Sequence, residues 1–204
     1  MNNNEQYTRI SEFFFEIGTM RKLHRMHLQN LFVDDSSDNI SSHSYRVTMI
    51  AWFLAKLEGA DPYKVLLMAL AHDLSEIRSN DHNWVHKKYV KLYEDEIRED
   101  QLKTLPFQEL FDVSVEYEKR ETLESKVAKD ADLLDQILLL REYEWQGNKE
   151  AEKWLRGINR SKELDERKSR KDRFHTESAK KILDELYDMH PSKWWENIWT
   201  NVNR

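Results

Sequence analysis

The sequence contains no cysteine, and glycine and proline are scarce, with four and three residues among 204. Without cysteine the chain cannot form a disulfide, a thiolate metal site or a cysteine nucleophile, so any metal site must use His, Asp and Glu. Turn-dense β-sandwiches and glycine-rich doubly wound sheets use far more glycine and proline than this. The scarcity therefore favours an all-α protein with short loops.

Long apolar runs and excess positive charge are also missing. No stretch of roughly 18 apolar residues is present, so we expect no membrane span. The first residues, Met1 to Gln6, lack the basic and apolar pattern of a secretory signal. The formal net charge is −6, which disfavours binding to a nucleic acid polymer. Hydrophobic residues make up 39% of the chain and seven residues are Trp, so we expect a folded core. Because no membrane span and no secretory signal is expected, we expect a cytoplasmic protein.

Apolar periodicity predicts helices along the whole chain. Ser41 or Ser42 is expected to cap the second helix, Gly59 to end it, and Asp61-Pro62 to begin the third. The charged stretch 157–172 is expected to be a surface loop. Pro191 is expected to open a last helix that carries Trp194, Trp195, Ile198 and Trp199. The stretch 83–101 is amphipathic and highly charged. The predicted helices cover about 7–24, 41–59, 62–78, 107–118, 121–145 and 174–187.

The pair His72-Asp73 is the sharpest local feature, in the segment Ala69-Leu70-Ala71-His72-Asp73-Leu74-Ser75-Glu76. His72 shares a helical stripe with apolar residues, where an imidazole beside a carboxylate is unfavourable unless something compensates them. A bound cation would do so, provided that the backbone bends at this point. Glu76 lies one turn later and projects toward the same side. The alternative is a satisfied core histidine with an acid that caps nearby backbone.

Two further candidates lie on helices that otherwise read as core. His43 begins the second helix in line with Val47, Ile50 and Leu54, although it could simply be a histidine near a helix N-terminus. Asp132 lies in the acid-rich run from Lys129 to Asp135, and there the alternative is an ordinary surface helix whose acids pair with neighbouring lysines. Several polar residues on core-like helices together favour a functional site.

The order His43, His72-Asp73 and Asp132 resembles the HD-domain metal phosphohydrolases. The His72-Asp73-Leu74-Ser75-Glu76 segment, followed by Asp81, is similar to a pattern of the bacterial 5′-deoxynucleotidases and their eukaryotic HD-domain relatives. So are the run from Val127 to Asp135 and the later Glu142-Tyr143-Glu144. The resemblance covers about 8–190. It implies a single-domain helical bundle over 1–204, with an HD core at about 40–145 and a central metal site.

The resemblance also assigns roles to individual residues. It implies one divalent transition metal per subunit, Mn²⁺, Co²⁺, Zn²⁺ or Fe²⁺, which suits imidazole and carboxylate ligands. Glu76 would hold or deprotonate the attacking water, and Asp73 would serve as both ligand and catalytic residue. On the substrate side Arg25 would grip the phosphate, and Asp81 would contact the sugar or leaving group. Apart from the resemblance, Lys88 is a candidate for phosphate contact, and the alternative is an ordinary charged helix face. The four ligands would be His43, His72, Asp73 and Asp132.

Three segments depart from the family pattern. The segment Arg25-Met26-His27-Leu28 stands where the family often has Arg-x-Gly-Trp, so the aromatic residue that shapes the sugar pocket is absent at Leu28. Ser42 replaces a common acid before the first histidine, and Asn80 replaces the usual Gly before Asp81. The metal site is untouched by these changes, but the choice of substrate is less certain.

The leading hypothesis is a metal-dependent phosphohydrolase that converts deoxyribonucleoside 5′-monophosphates to nucleoside and phosphate, working as a homodimer. One alternative is a nucleoside triphosphate hydrolase that releases pyrophosphate or triphosphate. Alternatives of another class are a metal-bearing regulatory or binding module and a helical interaction protein without metal. Metal analysis of the purified protein separates the last of these from the others.

Overall fold

The protein is α-helical throughout the described residues, 3–198 of a computed structural model, and no β-strand occurs in that range. The predicted all-α class is therefore confirmed. No helix within these residues is long and apolar enough to cross a membrane. Short 3-10 turns lie at Met20–Lys22, Ile158–Arg160 and Pro191–Trp195. The α-helices are α1 (Asn3–Ile17), α2 (His27–Leu31), α3 (Ile40–Glu58), α4 (Pro62–Ala71), α5 (Glu76–Ser79), α6 (Trp84–Tyr89), α7 (Glu94–Leu102), α8 (Glu109–Lys119), α9 (Leu123–Trp145), α10 (Lys149–Arg156), α11 (Glu163–Lys171) and α12 (Glu177–Asp188).

The helices group into two compact units, of which the first ends at Asp132 and the second begins at Leu133, within α9. Each unit has its own buried residues and hydrogen bonds. The single domain over 1–204 stays a prediction.

Helix α3 begins with a reciprocal capping arrangement. The Asn39 side chain accepts from the Ser42 N–H at 3.1 Å, and the Asn39 N–H donates to the Ser42 hydroxyl at 3.2 Å. The cap is therefore Asn39, and the prediction of Ser41 or Ser42 was wrong because Ser42 is the second half of a capping box. Gly59 ends the helix with a left-handed φ of 72°, as predicted.

A buried apolar cluster lies under the residues that carry the chemistry of the first unit. Ala71 and Leu74 flank the His72-Asp73 pair, and Ile40 precedes His43 by one turn. A fully buried large apolar side chain, such as that of Ile40 or Leu102, contributes about 1.5–3 kcal/mol to folding. The cluster thus fixes the backbone from which two ligand segments project. Its members are Phe13, Met20, Ile40, Ala71, Leu74, Leu102 and Leu105.

Two buried arginines hold the second unit together. Arg156 donates from Nε to Glu144 at 2.5 Å and from Nη2 to the Tyr187 carbonyl at 2.9 Å. Arg141 pairs with the same Glu144 and donates to the carbonyls of Leu186 and Met189. Buried guanidinium groups need this complete set of acceptors because an unpaired buried charge is costly. Glu144, part of the family-like signature, is therefore a structural residue in this unit.

The stretch 157–172, expected to be a loop, is mostly helical, so that prediction was wrong. Helix α11 carries acids in its first turn and bases in its last turn, and these charges stabilise the helix by interacting favourably with its macrodipole. Arg167 also donates to Asp184 at 3.0 Å and Asp188 at 3.1 Å on α12. The many charged side chains suggested a loop, but charged residues of this stretch such as Arg167 form ion pairs within the second unit.

Three predicted helix bounds also differ from the structure. Helix α1 ends at Ile17, not near His24, because Gly18 follows it and glycine is a poor helix former. The predicted 62–78 helix breaks at Ala71 and resumes as α5. The last helix is only the 3-10 turn Pro191–Trp195, and Trp199 lies outside the described residues.

Candidate metal centre

Three segments of the first unit bring the four predicted ligands together. His43 comes from the first turns of α3, His72 and Asp73 from the turn that follows α4, and Asp132 from α9. The chain turns over 72–75 before α5 begins. This is the bend that the sequence argument required, because adjacent side chains on a continuous helix point in different directions.

The donor atoms of these residues lie at ligand-to-ligand distances. His43 Nε2 is 3.2 Å from His72 Nε2 and 3.3 Å from Asp73 Oδ2, and His72 Nε2 is 3.1 Å from the same oxygen. Asp132 Oδ1 lies 3.5 Å from His43 Nε2 and 4.0 Å from His72 Nε2. The His43, His72 and Asp73 donors all lie within 4.8 Å of one another.

The His72 ring is oriented by the backbone of its own helix. Its Nδ1 lies 2.8 Å from the Ala69 carbonyl oxygen, so Nδ1 carries the proton and donates it. When the ring accepts a metal, Nε2 is therefore the nitrogen that offers its lone pair, on the side of His43 and Asp73. Metal-binding histidines are commonly fixed in this way by a second-shell acceptor.

The residues present fit a divalent transition metal. Two ligand atoms that each lie about 2.0–2.2 Å from one ion, at tetrahedral or octahedral angles, are about 3.0–3.5 Å apart. Four of the five measured distances lie between 3.1 and 3.5 Å. The imidazole and carboxylate set suits Mn²⁺, Fe²⁺, Co²⁺ or Zn²⁺.

Both aspartates are held in the ionised form. Burial raises the pKa of Asp73, but the imidazoles of His72 and His43 outweigh burial and hold it well below its usual range. Burial likewise raises the pKa of Asp132, and the Lys129 ammonium and the two imidazoles together lower it below the ordinary value. Both carboxylates can thus serve as anionic donors at neutral pH.

The surroundings of Glu76 shift its pKa in the opposite direction from the pKa values of Asp73 and Asp132. Burial, Asp73 and Asp81 raise its pKa to about 10, although Arg25 and Lys87 act to lower it. Its Oε2 is buried and has no hydrogen-bond partner among residues 3–198. The ion-free protein therefore holds a neutral carboxyl group three residues from an ionised ligand.

Arg25 lies beside this acidic group with two unused donors. Its Nε is 3.5 Å from Asp81 Oδ2, too long for a hydrogen bond, and Nε and Nη1 are buried without a hydrogen-bond partner in the described chain. Burial lowers the pKa of Arg25, but the charges of Asp73, Asp81, Asp132 and Glu76 outweigh it and raise the pKa above its usual value. The guanidinium is thus a fixed cation that lies close to the ligand carboxylates.

The segment after α5 holds the Arg25 backbone in place. Asp81 Oδ2 accepts the Met26 N–H at 2.7 Å, and Asn83 Nδ2 donates to the Met26 carbonyl at 2.9 Å. Asn83 also caps α6 by accepting from Val85 and His86. Asp81 therefore positions Arg25 through its neighbour, and the structure leaves its Oδ1 without a hydrogen bond to the described residues.

Asn80 adopts a conformation that favours glycine. Its φ is 64° and its ψ is 162°, a region that residues with a side chain rarely enter. Its N–H donates to the Glu76 carbonyl at 2.8 Å, which closes the turn that leads to Asp81. The backbone conformation thus explains why the resembling family often has glycine before the acid at position 81. With Asn80 at this place, the chain carries about 1–3 kcal/mol of strain.

The two lysines of α6 differ in their surroundings. Lys88 is exposed, and its Nζ lies 5.2 Å from the centroid of the Tyr89 ring. Its predicted phosphate contact stays a prediction. Lys87 is the lysine whose charge acts on Glu76.

Sequence reasoning treated Lys129 only as an ordinary partner for nearby acids. Its Nζ lies 2.6 Å from Asp132 Oδ2, so it contacts a ligand directly. The sequence carried a signal for this contact, because Lys129 and Asp132 are three residues apart on one helix and so lie on the same face. Tyr117 of α8 was missed as well, and its buried ring packs edge-on against His72 with centroids 5.7 Å apart.

A model of the HD domain family matches residues 17–174 of the chain. A 5′-deoxynucleotidase from Dictyostelium discoideum, named HDDC2, is 32% identical over 149 residues, which cover 66% of this chain and 77% of the relative.

Solved structures show the same fold. A conserved hypothetical protein from Pyrococcus furiosus is 26% identical, with a TM-score of 0.69 over 87% of this chain and 99% of that one. A protein from Magnetospirillum magnetotacticum, described as a predicted metal-dependent phosphohydrolase, is 23% identical, with a TM-score of 0.66 over 92% and 94% of the two chains. The latter likeness concerns the fold alone.

Replacing a ligand should abolish tight metal binding. We expect His72→Ala and Asp132→Ala each to weaken the binding of Mn²⁺ and Co²⁺ by more than about 100-fold, since even second-shell changes cost 10–100-fold. Equilibrium dialysis with metal analysis measures this, and His24→Ala, which alters an exposed ring, is the control. Unchanged affinity in both ligand variants would contradict the site.

Glu76→Gln should stabilise the chelator-treated protein at alkaline pH. The pKa of Glu76 is about 10 in the folded state against an ordinary 4.5, so the folded state holds the proton over this range. The wild-type free energy of unfolding should therefore fall as pH rises above 4.5, and Gln removes that loss. Urea unfolding at pH 4.5, 6 and 8 should show a growing gap, which exposed Glu121→Gln should not reproduce.

Asn80→Gly should raise the free energy of unfolding by about 1 kcal/mol. Relief of strain of about 1–3 kcal/mol exceeds the entropy cost of glycine, about 0.5–1 kcal/mol. Thermal unfolding tests this. The matched control Asn148→Gly, at an ordinary φ of −67°, should destabilise the protein, and equal effects at the two positions would refute the argument from strain.

Proposed function

The chain belongs to the HD-domain family of metal-dependent phosphohydrolases, and we propose that it hydrolyses deoxyribonucleoside 5′-monophosphates to deoxynucleoside and inorganic phosphate. The name of the Dictyostelium relative supports this substrate class. The homodimer and the cytoplasmic location expected from the sequence remain predictions.

The observation that carries the proposal is the Arg25 guanidinium beside the four-ligand cluster. Its buried Nε and Nη1 have no acceptor in the described residues, although a buried donor without an acceptor is unfavourable. A phosphate oxygen is the acceptor that the forked geometry of arginine fits best. A phosphate held there also lies close to Asp73 and Asp132, whose charges act on the same guanidinium.

The residues of the site have different roles in the proposed hydrolysis. A divalent ion, when bound by His43, His72, Asp73 and Asp132, lowers the pKa of water toward neutrality and polarises a phosphoryl oxygen. In the reaction, a bond forms from the water oxygen to phosphorus and the bond from phosphorus to the 5′-oxygen breaks. The 5′-oxygen takes up a proton and leaves as the hydroxyl of the deoxynucleoside. Glu76, with its unpartnered Oε2, is the group available to take the proton of the attacking water.

Two features of the site concern the rest of the substrate. Asp81 keeps Oδ2 on the Met26 N–H, so its Oδ1 is the oxygen left to meet the sugar or the leaving group. Leu28 lies in α2, one turn from Arg25, and offers an apolar surface without the aromatic ring of the resembling family. This substitution favours a sugar pocket with relaxed selectivity.

A product assay tests the proposal. The protein is loaded with Mn²⁺ or Co²⁺ and incubated with ribo- and deoxynucleoside mono-, di- and triphosphates. We expect phosphate from the deoxynucleoside monophosphates, loss of activity in Glu76→Ala, and a KM raised at least tenfold in Arg25→Met because its phosphate contact is lost.

The other outcomes decide between the alternatives. Pyrophosphate or triphosphate released from a triphosphate would keep the metal site and overturn the substrate. Metal binding without turnover of any nucleotide would instead favour a regulatory or binding module. Arg21→Met is the matched control for Arg25→Met, because Arg21 is an exposed arginine on the preceding 3-10 turn.

A further inference from the structure

We infer that Lys129 is a positioning residue for Asp132: it binds one oxygen of that carboxylate, so that a single oxygen is presented to the metal centre. The inference rests on the proposed function, since it requires an ion at the four-ligand cluster. It adds a residue of the chain to the site without assigning it any contact with substrate.

The two oxygens of Asp132 face different groups. Oδ2 accepts a hydrogen bond from Lys129 Nζ at 2.6 Å, whereas Oδ1 lies 3.5 Å from His43 Nε2 and 4.0 Å from His72 Nε2. The carboxylate plane is thereby fixed between the ammonium and the imidazoles. Asp73 also directs one oxygen at both imidazoles: its Oδ2 lies 3.1 Å from His72 Nε2 and 3.3 Å from His43 Nε2.

The pair is not an ordinary surface ion pair. The Asp132 side chain is 17% exposed and that of Lys129 is 32% exposed, so the contact is partly shielded from water. Exposed pairs of this spacing contribute little to stability, because water and salt screen the two charges. A shielded charge-assisted bond to a ligand instead fixes the orientation of that ligand.

Loss of the ammonium has two separable consequences. It frees Oδ2, so Asp132 can turn and offer both oxygens, which would use a position that water or phosphate needs. It also removes one positive charge beside the ion, which favours cation binding. Metal affinity should therefore hold or rise while turnover falls, whereas the loss of a ligand lowers both.

The experiment compares wild type with Lys129→Met and Lys129→Gln. Lys126→Met is the matched control, because Lys126 lies on the same helix and is not bonded to any of the four ligands. Co²⁺ is titrated into each metal-free protein while visible absorption and heat are recorded. Rates with a deoxynucleoside monophosphate then give kcat and KM, and thermal unfolding checks that each variant is folded.

We expect both Lys129 variants to bind Co²⁺ at least as tightly as wild type, with an altered visible spectrum. Their kcat should fall about 10–100-fold with little change in KM, and Lys126→Met should match wild type. If wild type binds Co²⁺ but both Lys129 variants keep its spectrum and kcat, the inference is overturned and the proposed function stands. Loss of Co²⁺ affinity in parallel with kcat would also overturn it, whereas a wild type that binds no Co²⁺ would overturn both proposals.

Discussion

The first unit depends on one costly arrangement, two carboxylates and two imidazoles that converge in a space largely shielded from water. Ionised groups in such a place are unfavourable unless each is compensated. The structure compensates Asp73 with both imidazoles and Asp132 with Lys129. A divalent cation completes the balance, since it is attracted by both acids and accepts the lone pairs of both rings.

This convergence constrains the fold around it. A helix that continued through position 78, as its periodicity suggested, would point Asp73 away from His72. Helix α4 instead ends at Ala71. In the turn that follows, His72 and Asp73 lie between Ala71 and Leu74, whose side chains are buried in the apolar cluster. Apolar packing thus supplies the free energy that holds a polar turn in place, and the early end of α4 is a requirement of the site.

Apolar periodicity predicted the helical class because it is a local pattern, whereas the four candidate ligands were assigned by the resemblance to the HD-domain phosphohydrolases. The apolar stripe marked His72 and His43 as inward-facing, and their burial agrees with it. The sequence argument required a bend near His72-Asp73 but did not end the helix at Ala71. The helix in 157–172 was not predicted, because its charges are matched by partners distant in sequence, such as Asp184 for Arg167. Hydrogen bonds of this kind leave no local periodicity.

Asp73 and Glu76, which lie three residues apart in the sequence, have pKa values shifted in opposite directions, and that difference decides what each can do. Asp73 is ionised because imidazoles contact it, whereas the pKa of Glu76 is raised to about 10 by burial and by Asp73 and Asp81. Pairs of carboxyl groups with diverging environments commonly mark a ligand or nucleophile and a proton carrier. A cation next to Asp73 cancels part of the repulsion on Glu76 and so favours its ionised form. The ability of Glu76 to accept a proton is therefore coupled to occupancy of the metal centre, which ties the proton acceptor to the presence of the ion that activates the water.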